Sequence, residues 1–285
     1  MRTVSEIQLQ ILERLNDYRF LTVAQMIEIG ISSSKHTLSR NIRALRDGGG
    51  KRAFIDYVDF GTFPTIGRLS RIHYITKKGA KLLAEALQID SSEINHPKGI
   101  KLFTRDYFHR VQTVDLHISA RKFAERYKLD FEFFHTYYEH TGANNSKNPN
   151  QPKRQALTKI PLKDSYFIPD CIFKMIDPKG EPWLFTGEIY RGHTTKRTQQ
   201  QLIKHLEALE HASINKVYNY PRSVRILVVC EQEGAMIALQ KRVKNDPLFK
   251  HSEAYFLFAT LATIKADFAT QWQDYSGNFR NLFVV

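Results

Sequence analysis

Two acidic residues stand in short apolar runs that indicate neighbouring strands of a hairpin. Asp170 follows Pro169 in the run SYFIPDCIFKMI, Glu188 lies in the run PWLFTGEIYRG, and turn residues 177–180 separate the runs. Carboxylates on adjacent strands can meet at one end of a sheet, and such oxygen ligands suit Mg²⁺ or Mn²⁺. A divalent ion held there would lower the pKa of bound water and stabilise charge on a scissile phosphate. The pair therefore predicts a metal-dependent site that cleaves phosphodiesters.

Further residues are candidates for the same site. Tyr190 lies on the same strand face as Glu188 and is a candidate nucleophile that would leave a covalent DNA adduct, with water as the alternative nucleophile. Asp115, on an earlier helix, is either a third acidic metal ligand or an ordinary surface aspartate.

The elements that must position these residues follow the order α-β-β-β-α-β-α-β. The patterns predict helices and strands at 104–127, 131–140, 165–176, 182–192, 194–212, 224–232, 236–246 and 254–264. A hairpin followed by a crossover helix and further strands predicts a mixed sheet flanked by helices. The histidines at 205 and 211 are expected at the surface of their helix. The basic stretch 142–164 is predicted to be a flexible loop, which either closes over DNA or is a solvated insertion.

Three helices are predicted at the amino-terminal end, the first starting near Ser5, the second capped by Thr22 and ended by Gly30. The third follows serines 32–34 and ends at glycines 48–50. Its buried stripe is predicted to consist of Leu38, Ile42 and Leu45. Its outward face carries Lys35, His36, Ser39, Arg40, Arg43 and Arg46. A helix-turn-helix with a basic outer face is typical of DNA recognition.

A β-hairpin is predicted after these helices, with strands within 53–61 and 68–79 and a link that carries Gly61, Pro64 and Gly67. Arg68 and Arg71 stand beside its tip, where a wing commonly meets the phosphate backbone. Another helix is predicted at 76–86. The order resembles the winged-helix families, whose fold implies DNA binding, although some winged helices serve protein contacts instead. Lys35, Arg40 and Arg43 could then neutralise phosphates, and His36, Ser39 or Arg40 could reach base edges.

The composition agrees with a nucleic-acid partner. The chain of 285 residues has 42 Lys and Arg against 29 Asp and Glu, a formal charge of +13 that favours a polyanion. Its length predicts two domains, at 1–90 and 100–285, joined by a polar linker around 88–100. Two cysteines cannot form a disulfide framework or a four-cysteine zinc site, and both are expected to be buried. The absence of a secretory signal or a spanning apolar run predicts a cytoplasmic protein without a membrane partner.

The core resembles the PD-(D/E)XK nuclease superfamily in its element order and in the residues Pro169-Asp170 and Glu188-Ile189-Tyr190. Tyr190 stands where the superfamily places its lysine. The resemblance therefore implies a lysine relocated to the following helix, where Lys204 or Lys196 would stabilise the charge that develops on the phosphate. With the winged helix, the chain is similar to the replication-relaxation family and to the mobilisation relaxases of the MOBC class. The runs that carry this similarity are HRVQTVDLHI, IPDCIFKM, LFTGEIYRG and QQLIKHLEAL.

This resemblance implies an α+β protein, a winged helix-turn-helix followed by a restriction-endonuclease-like core with a mixed sheet. It implies a relaxase that uses Mg²⁺ or Mn²⁺ to nick double-stranded DNA at a plasmid or integrative-element origin of transfer. Accessory mobilisation or coupling proteins would be its partners, and its oligomeric state stays open. Two alternatives remain. One is a non-catalytic DNA-binding replication initiator or transcriptional regulator with a degenerate nuclease fold, and the other is a defence nuclease.

Overall fold

The structure, a computed structural model, describes residues 4–48, 53–97, 106–142, 154–192 and 194–283. The chain is a mixed α+β protein, as predicted, and it divides into two compact units, Met1–Val114 and Asp115–Val285. Three predicted segments lie outside the described residues: the glycines at 49–50, residues 98–105 at the linker and the helix start, and residues 143–153 of the basic loop. The described remainder of that predicted loop, 154–164, contains two short strands and is not simply a loop. Among the described residues, no helix combines the length and apolar character that crossing a membrane requires.

The first unit begins with three short helices, each preceded by a capping hydroxyl. Ser5, Thr22 and Ser34 accept hydrogen bonds from backbone N–H groups in the first turns, which confirms the predicted helix starts. The elements of this unit are α1 (Glu6–Tyr18), α2 (Val23–Glu28), α3 (Lys35–Asp47), β1 (Ile55–Val58), β2 (Thr62–Phe63), β3 (Gly67–Arg68), β4 (Ile72–Ile75), α4 (Lys77–Leu87) and the start of α5 (Tyr107–Tyr127).

Two antiparallel pairs follow the helices. Strand β1 pairs with β4, with Ile55 opposite Ile75, and the short strands β2 and β3 pair as a hairpin between them. The strands are shorter than predicted. The first predicted run, 53–61, contains only β1, and β2 lies in the predicted link. The second run, 68–79, is divided between the end of β3 and β4. The second run ends at Ile75, because the side chain of Thr76 caps α4. The predicted stripe of α3 lies in the core with side chains from α1, namely Ile11, Leu12, Leu15, Leu38, Ile42 and Leu45.

Helix α5 crosses the boundary between the units, which differs from the predicted linker at 88–100. The first turns of α5 contact residues of the first unit. The Phe108 ring packs edge-to-face on Phe63 at 5.2 Å, and the Gln25 side-chain amide donates to the Val111 carbonyl at 3.1 Å. These contacts assign the start of the helix to the first unit, whereas a polar linker composition predicted a boundary earlier in the chain.

The second unit is built on a five-stranded mixed sheet. Its strand order is β13-β12-β11-β10-β5, in which β5, β10 and β11 are antiparallel neighbours and β11, β12 and β13 are parallel neighbours. The elements after α5 are β5 (Asp130–Thr136), β6 (His140–Thr141), β7 (Gln155–Ala156), β8 (Ile160–Pro161), β9 (Tyr166–Phe167), β10 (Cys171–Ile176), β11 (Pro182–Tyr190), α6 (Thr195–Glu210), α7 (Ser213–Tyr218), β12 (Arg225–Cys230), α8 (Glu233–Lys244), a 3₁₀ helix (Pro247–Phe249), β13 (Phe256–Thr260) and α9 (Leu261–Ala266).

Three predicted strands differ from the observed ones. The run at 131–140 is a strand of the large sheet only as far as Thr136, and a turn at 137–138 separates it from β6. The run at 254–264 is a strand only as far as Thr260, whose hydroxyl accepts from the Thr263 N–H and caps α9. The run at 165–176 is divided into β9 and β10, and Pro169 lies between them. Proline has no N–H to donate to a ladder, and the Pro169 carbonyl instead accepts a hydrogen bond from the Thr158 hydroxyl at 2.7 Å.

Apolar clusters cover both faces of the sheet. On one face, Leu116 and Ala120 of α5 and Ile264 of α9 pack with strand residues that include Cys171 and Ile189. On the other face, helices α6 and α8 pack over β11, β12 and β13 through Leu202, Met236, Leu239, Ile226, Val228 and Phe258. Both cysteines, Cys171 and Cys230, are buried and free, as predicted. Neighbouring residues of β11 therefore face different helices.

Candidate functional sites

The outward face of α3 carries the first candidate site. All five residues predicted to contact DNA from this helix are exposed: Lys35, His36, Ser39, Arg40 and Arg43. The opposite side is anchored, because Leu38, Ile42 and Leu45 are buried. Arg46 differs from the others, since it bonds to Asp47 at 2.9 Å and its guanidinium lies 5.7 Å from the Tyr57 ring centroid. The helix thus presents its polar side chains on the side away from the core.

The cations on this face are not neutralised within the part of the chain that the structure describes. Lys35, Arg40 and Arg43 form no ion pair and no side-chain hydrogen bond with any described residue. A structural role for such cations would place a carboxylate next to them. Their arrangement leaves three positive side chains along about two turns of one helix, at a spacing that suits a row of phosphates.

The hairpin arginines are arranged differently. One carboxylate, Asp59, accepts from Arg68 at 2.7 Å, from Arg71 at 3.2 Å and from the Gly61 N–H at 3.0 Å. These hydrogen bonds, that from Arg68 foremost, lower the pKa of Asp59 to about 2. The Arg71 guanidinium also lies 4.3 Å from the Tyr57 ring centroid. The two arginines remain substantially exposed, but Asp59 positions them and neutralises part of their charge, which the sequence did not indicate.

The second candidate site is the carboxylate pair of the hairpin β10–β11. Cys171 pairs with Gly187, which places Asp170 beside Glu188 at the end of the ladder, as predicted. The Asp170 carboxylate accepts a hydrogen bond from the Ile189 N–H at 2.7 Å. The Glu188 carboxylate is buried and lies 2.7 Å from Nε2 of His205. Each acid therefore already has a protein partner.

His205 is fully buried, so the prediction that it lies at the helix surface is wrong. Its Nδ1 lies 3.4 Å from the Thr186 hydroxyl, and Phe167 packs edge-to-face on its ring at 4.7 Å. Burial lowers the pKa of His205 to about 3. The sequence does carry a signal for this position, because the buried residues of α6 recur at helical spacing: Thr198, Leu202, His205 and Ala208.

Tyr190 lies two residues beyond Glu188 on the same strand face, against the cluster beneath α6 and α8. Its hydroxyl is buried close to the Glu188 carboxylate. Burial, with the nearby charges of Glu188 and Asp170, raises the pKa of Tyr190 well above its ordinary value. A tyrosine attacks as its phenolate, so this environment opposes Tyr190 as the nucleophile, for which water is the other candidate.

The other predicted members do not join this pair. Asp115 lies on α5, which packs on the sheet face opposite to Glu188, and its carboxylate lies 3.5 Å from Nζ of Lys265. It is buried, so neither a ligand shared with Glu188 nor an ordinary surface aspartate describes it. Lys204 is half-buried, Lys196 is exposed, and neither hydrogen-bonds to Asp170 or Glu188. Of the predicted residues of this site, the structure therefore brings Asp170, Glu188 and Tyr190 together. His205, which was not predicted to belong to the site, lies beside Glu188.

Of the predicted ligands for Mg²⁺ or Mn²⁺, Asp170 and Glu188 lie side by side and carry suitable carboxylate donors. Glu188 is also hydrogen-bonded to His205, and the third candidate, Asp115, lies on the other side of the sheet. The described residues contain no group of three or more His, Cys, Asp or Glu side chains that could hold a metal ion. For the chain as a whole, comparisons with models of known protein families, with curated proteins and with solved structures give no match.

Proposed function

We propose that this protein binds double-stranded DNA through α3 and the β2–β3 hairpin, used as a winged helix-turn-helix. One observation supports this proposal above all. Lys35, Arg40 and Arg43 are exposed on one side of α3 without an ion-pair partner among the described residues, while the other side of the helix is anchored in the core. An unpaired row of cations on a rigid helix has a clear physical use when it faces a row of phosphates.

The dimensions of α3 suit such a contact. A helix fits the major groove of B-form DNA, where side chains near its amino terminus can reach base edges. His36, Ser39 and Arg40 occupy those first turns and are exposed. Arg68 and Arg71, at the hairpin, would meet the backbone beside the groove. Affinity would come mainly from the phosphate contacts, and sequence preference from the residues of the first turns.

For the second unit, we infer a role as a nuclease-like scaffold that does not cut DNA. Glu188 hydrogen-bonds to the buried His205, and the Tyr190 hydroxyl is enclosed with a raised pKa. Neither group is ready to act on a phosphodiester. We therefore favour a non-catalytic replication initiator or transcriptional regulator over a relaxase or a defence nuclease.

The relaxase remains the alternative, because Asp170, Glu188 and Tyr190 do lie together at the end of the β10–β11 ladder. It is tested with supercoiled plasmids that carry sites selected by the protein from a random duplex pool, incubated with Mg²⁺ or Mn²⁺. We expect no open circles. Open circles that disappear with Asp170→Asn and Glu188→Gln would establish the nuclease. A covalent adduct that disappears with Tyr190→Phe would establish the tyrosine mechanism.

Binding is tested by fluorescence anisotropy of a labelled duplex across a range of salt concentrations. We expect the Arg40→Ala, Arg43→Ala double variant to bind about tenfold or more weakly, with a salt slope reduced by about 1 to 2. The matched control is Lys241→Ala, Lys244→Ala, which removes two exposed charges from α8 in the other unit. Equal losses in both variants would mean that net charge, and not α3, attracts the DNA, and the proposal would fail.

A further inference from the structure

The tip of the β2–β3 hairpin is unusually apolar for an exposed turn. Residues 61–68 are all exposed, and they include the side chains of Phe63, Pro64 and Ile66. Ile66 is 59% exposed and Phe63 is 41% exposed. Single exposed apolar residues are ordinary, but three within four positions at a protruding turn form a patch that water disfavours. Such a patch indicates a surface that becomes covered in a complex.

The turn holds this patch in a defined shape. The Ile66 N–H donates to the Phe63 carbonyl at 3.2 Å, and Pro64 restricts the backbone at the second position of the turn. Gly67 has a φ of +84°, a conformation that favours glycine, and it pairs with Phe63 across the hairpin. The isoleucine is thereby presented by a preorganised turn and loses little conformational freedom when it is buried.

Aromatic rings support the base of the tip. Phe63 packs edge-to-face on Phe108 at 5.2 Å, Phe108 packs on Tyr107 at 5.1 Å, and Tyr107 packs on Phe60 at 5.1 Å. All four residues belong to the first unit. Packing against these rings therefore supports the Phe63 side chain. The Ile66 side chain is more exposed than that of Phe63, and its surface is accessible to a partner.

Charge next to the tip indicates what that partner is. Arg68 follows the turn after Gly67 and has a side chain that is 66% exposed, and Arg71 is bonded to the same carboxylate, Asp59. A rigid apolar point flanked by arginines complements a DNA groove, whose walls are anionic and whose floor is made of stacked bases. Proteins that enter the minor groove commonly combine arginines with an apolar wedge that partly unstacks one base step.

We propose that the hairpin tip enters the minor groove and that Ile66 wedges into a base step, so that binding deforms the duplex. This inference rests on the proposed DNA binding and adds a mode of recognition to it. Steps that unstack easily would be preferred beneath the tip, which would give sequence preference without a hydrogen bond to a base. The cost of unstacking would be offset by burial of the tip and by the phosphate contacts of α3.

The test measures binding and deformation separately on duplexes of about 30 base pairs. Anisotropy gives the affinity, energy transfer between dyes on the two ends gives the bend, and 2-aminopurine placed along the site reports unstacking. At saturating protein we expect wild type to increase both deformation signals, and Ile66→Ala to reduce them about threefold while its salt slope is unchanged. The control is Ile237→Ala, an equally exposed isoleucine on α8, which should behave as wild type.

The outcomes separate this inference from the function on which it rests. If wild type does not bind the duplex, the proposed function itself is wrong. Tight binding with no deformation, or with deformation that Ile66→Ala leaves unchanged, would overturn the wedge and leave DNA binding intact. Sedimentation of the same two variants completes the test: if Ile66→Ala only dissociates an oligomer and does not alter the DNA signals, the tip contacts protein and the wedge is wrong.

Discussion

The Nε2 atom of His205 lies 2.7 Å from Oε1 of Glu188, and both side chains are buried between α6 and the central sheet. Because burial lowers the pKa of His205 to about 3, the imidazole is neutral near pH 7. A neutral ring with its proton on Nε2 donates to the Glu188 carboxylate and leaves Nδ1 facing the Thr186 hydroxyl. The bond ties α6 to β11 and gives a buried acid a compensating partner.

Removal of His205 should therefore destabilise the protein strongly. His205→Ala leaves the Glu188 carboxylate buried without this donor and opens a cavity next to Leu202 and Phe167, so we expect a loss of about 3–5 kcal/mol in the free energy of unfolding. Urea unfolding followed by circular dichroism measures it.

Two further variants show whether that loss of stability comes from the unpaired Glu188 carboxylate. His211→Ala, at the exposed end of the same helix, should change stability by less than about 0.5 kcal/mol. Replacing both partners, with Glu188→Leu and His205→Leu, should recover most of the loss because no unpaired charge remains. If His205→Ala costs less than about 1 kcal/mol, the carboxylate does not depend on this histidine.

Stability of the first unit should fall as the pH is lowered, because of a different histidine. Burial lowers the pKa of His73 to about 4, with help from the charges of Arg71 and Arg46. Between about pH 6.5 and 4, the unfolded chain binds a proton at this site and the folded chain does not, so stability decreases as pH falls through that window. This group alone should remove about 1.5 kcal/mol between pH 6.5 and 5.

The measurement compares the pH dependence of wild type with that of His73→Phe, which cannot titrate. The slope between pH 6.5 and 5 should flatten in the variant, whereas His211→Phe, which replaces an exposed histidine, should keep the slope of wild type. His205 has a pKa lowered in the same direction, so some slope will remain in His73→Phe. Identical slopes in wild type and His73→Phe would show that His73 does not resist protonation.

Features set by local periodicity could be predicted from the sequence. Leu38, Ile42 and Leu45 recur at helical spacing, and this spacing alone fixes which side chains of α3 face the core and which face outward. The order of the strands along the chain could also be predicted from local sequence patterns. The position of His205 follows the same rule, but the polar nature of histidine led to the wrong prediction of a surface position.

Features that depend on contacts between distant residues could not be predicted in this way. Asp59 bonds to Arg68 and Arg71 across a hairpin, and only the register of the strands brings these residues together. Asp115 and Glu188 both lie in the second unit, but which sheet face each one occupies depends on how α5 packs. Composition and spacing carry no information about either choice, so the predicted ligand set grouped residues that the fold separates.

A glycine near the start of α4 should not tolerate alanine. A Cβ added at Gly79 would lie well inside van der Waals contact of the Phe54 carbonyl oxygen, which is backbone and cannot move aside cheaply. We expect Gly79→Ala to destabilise by about 1–3 kcal/mol, although alanine is the better helix former. Gly234→Ala is the matched control, because a Cβ there, in the first turn of α8, meets nothing within 4 Å. It should stabilise by about 0.5 kcal/mol, and a stabilised Gly79→Ala would contradict the close approach.

Neutralising Asp59 should strengthen DNA binding if Arg68 and Arg71 contact phosphate. The carboxylate occupies both guanidinium groups at 2.7 and 3.2 Å, so part of the attraction between the hairpin and DNA is lost to this internal competition. Asp59→Asn keeps the shape of the side chain and an acceptor for the Gly61 N–H but removes its charge. We expect several-fold tighter binding at low salt and a salt slope steeper by up to about 2, one unit for each arginine released.

Anisotropy titrations of wild type and Asp59→Asn between 50 and 200 mM salt, about the range over which such contacts weaken, measure both quantities. Glu210→Gln is the control, because it removes one negative charge from an exposed position in the second unit. A gain confined to Asp59→Asn assigns the effect to the hairpin arginines, whereas equal gains assign it to net charge. Weaker binding by Asp59→Asn would mean that the carboxylate mainly orients these arginines for DNA. An arginine that is already aligned loses less conformational entropy on binding than one whose side chain is free to move.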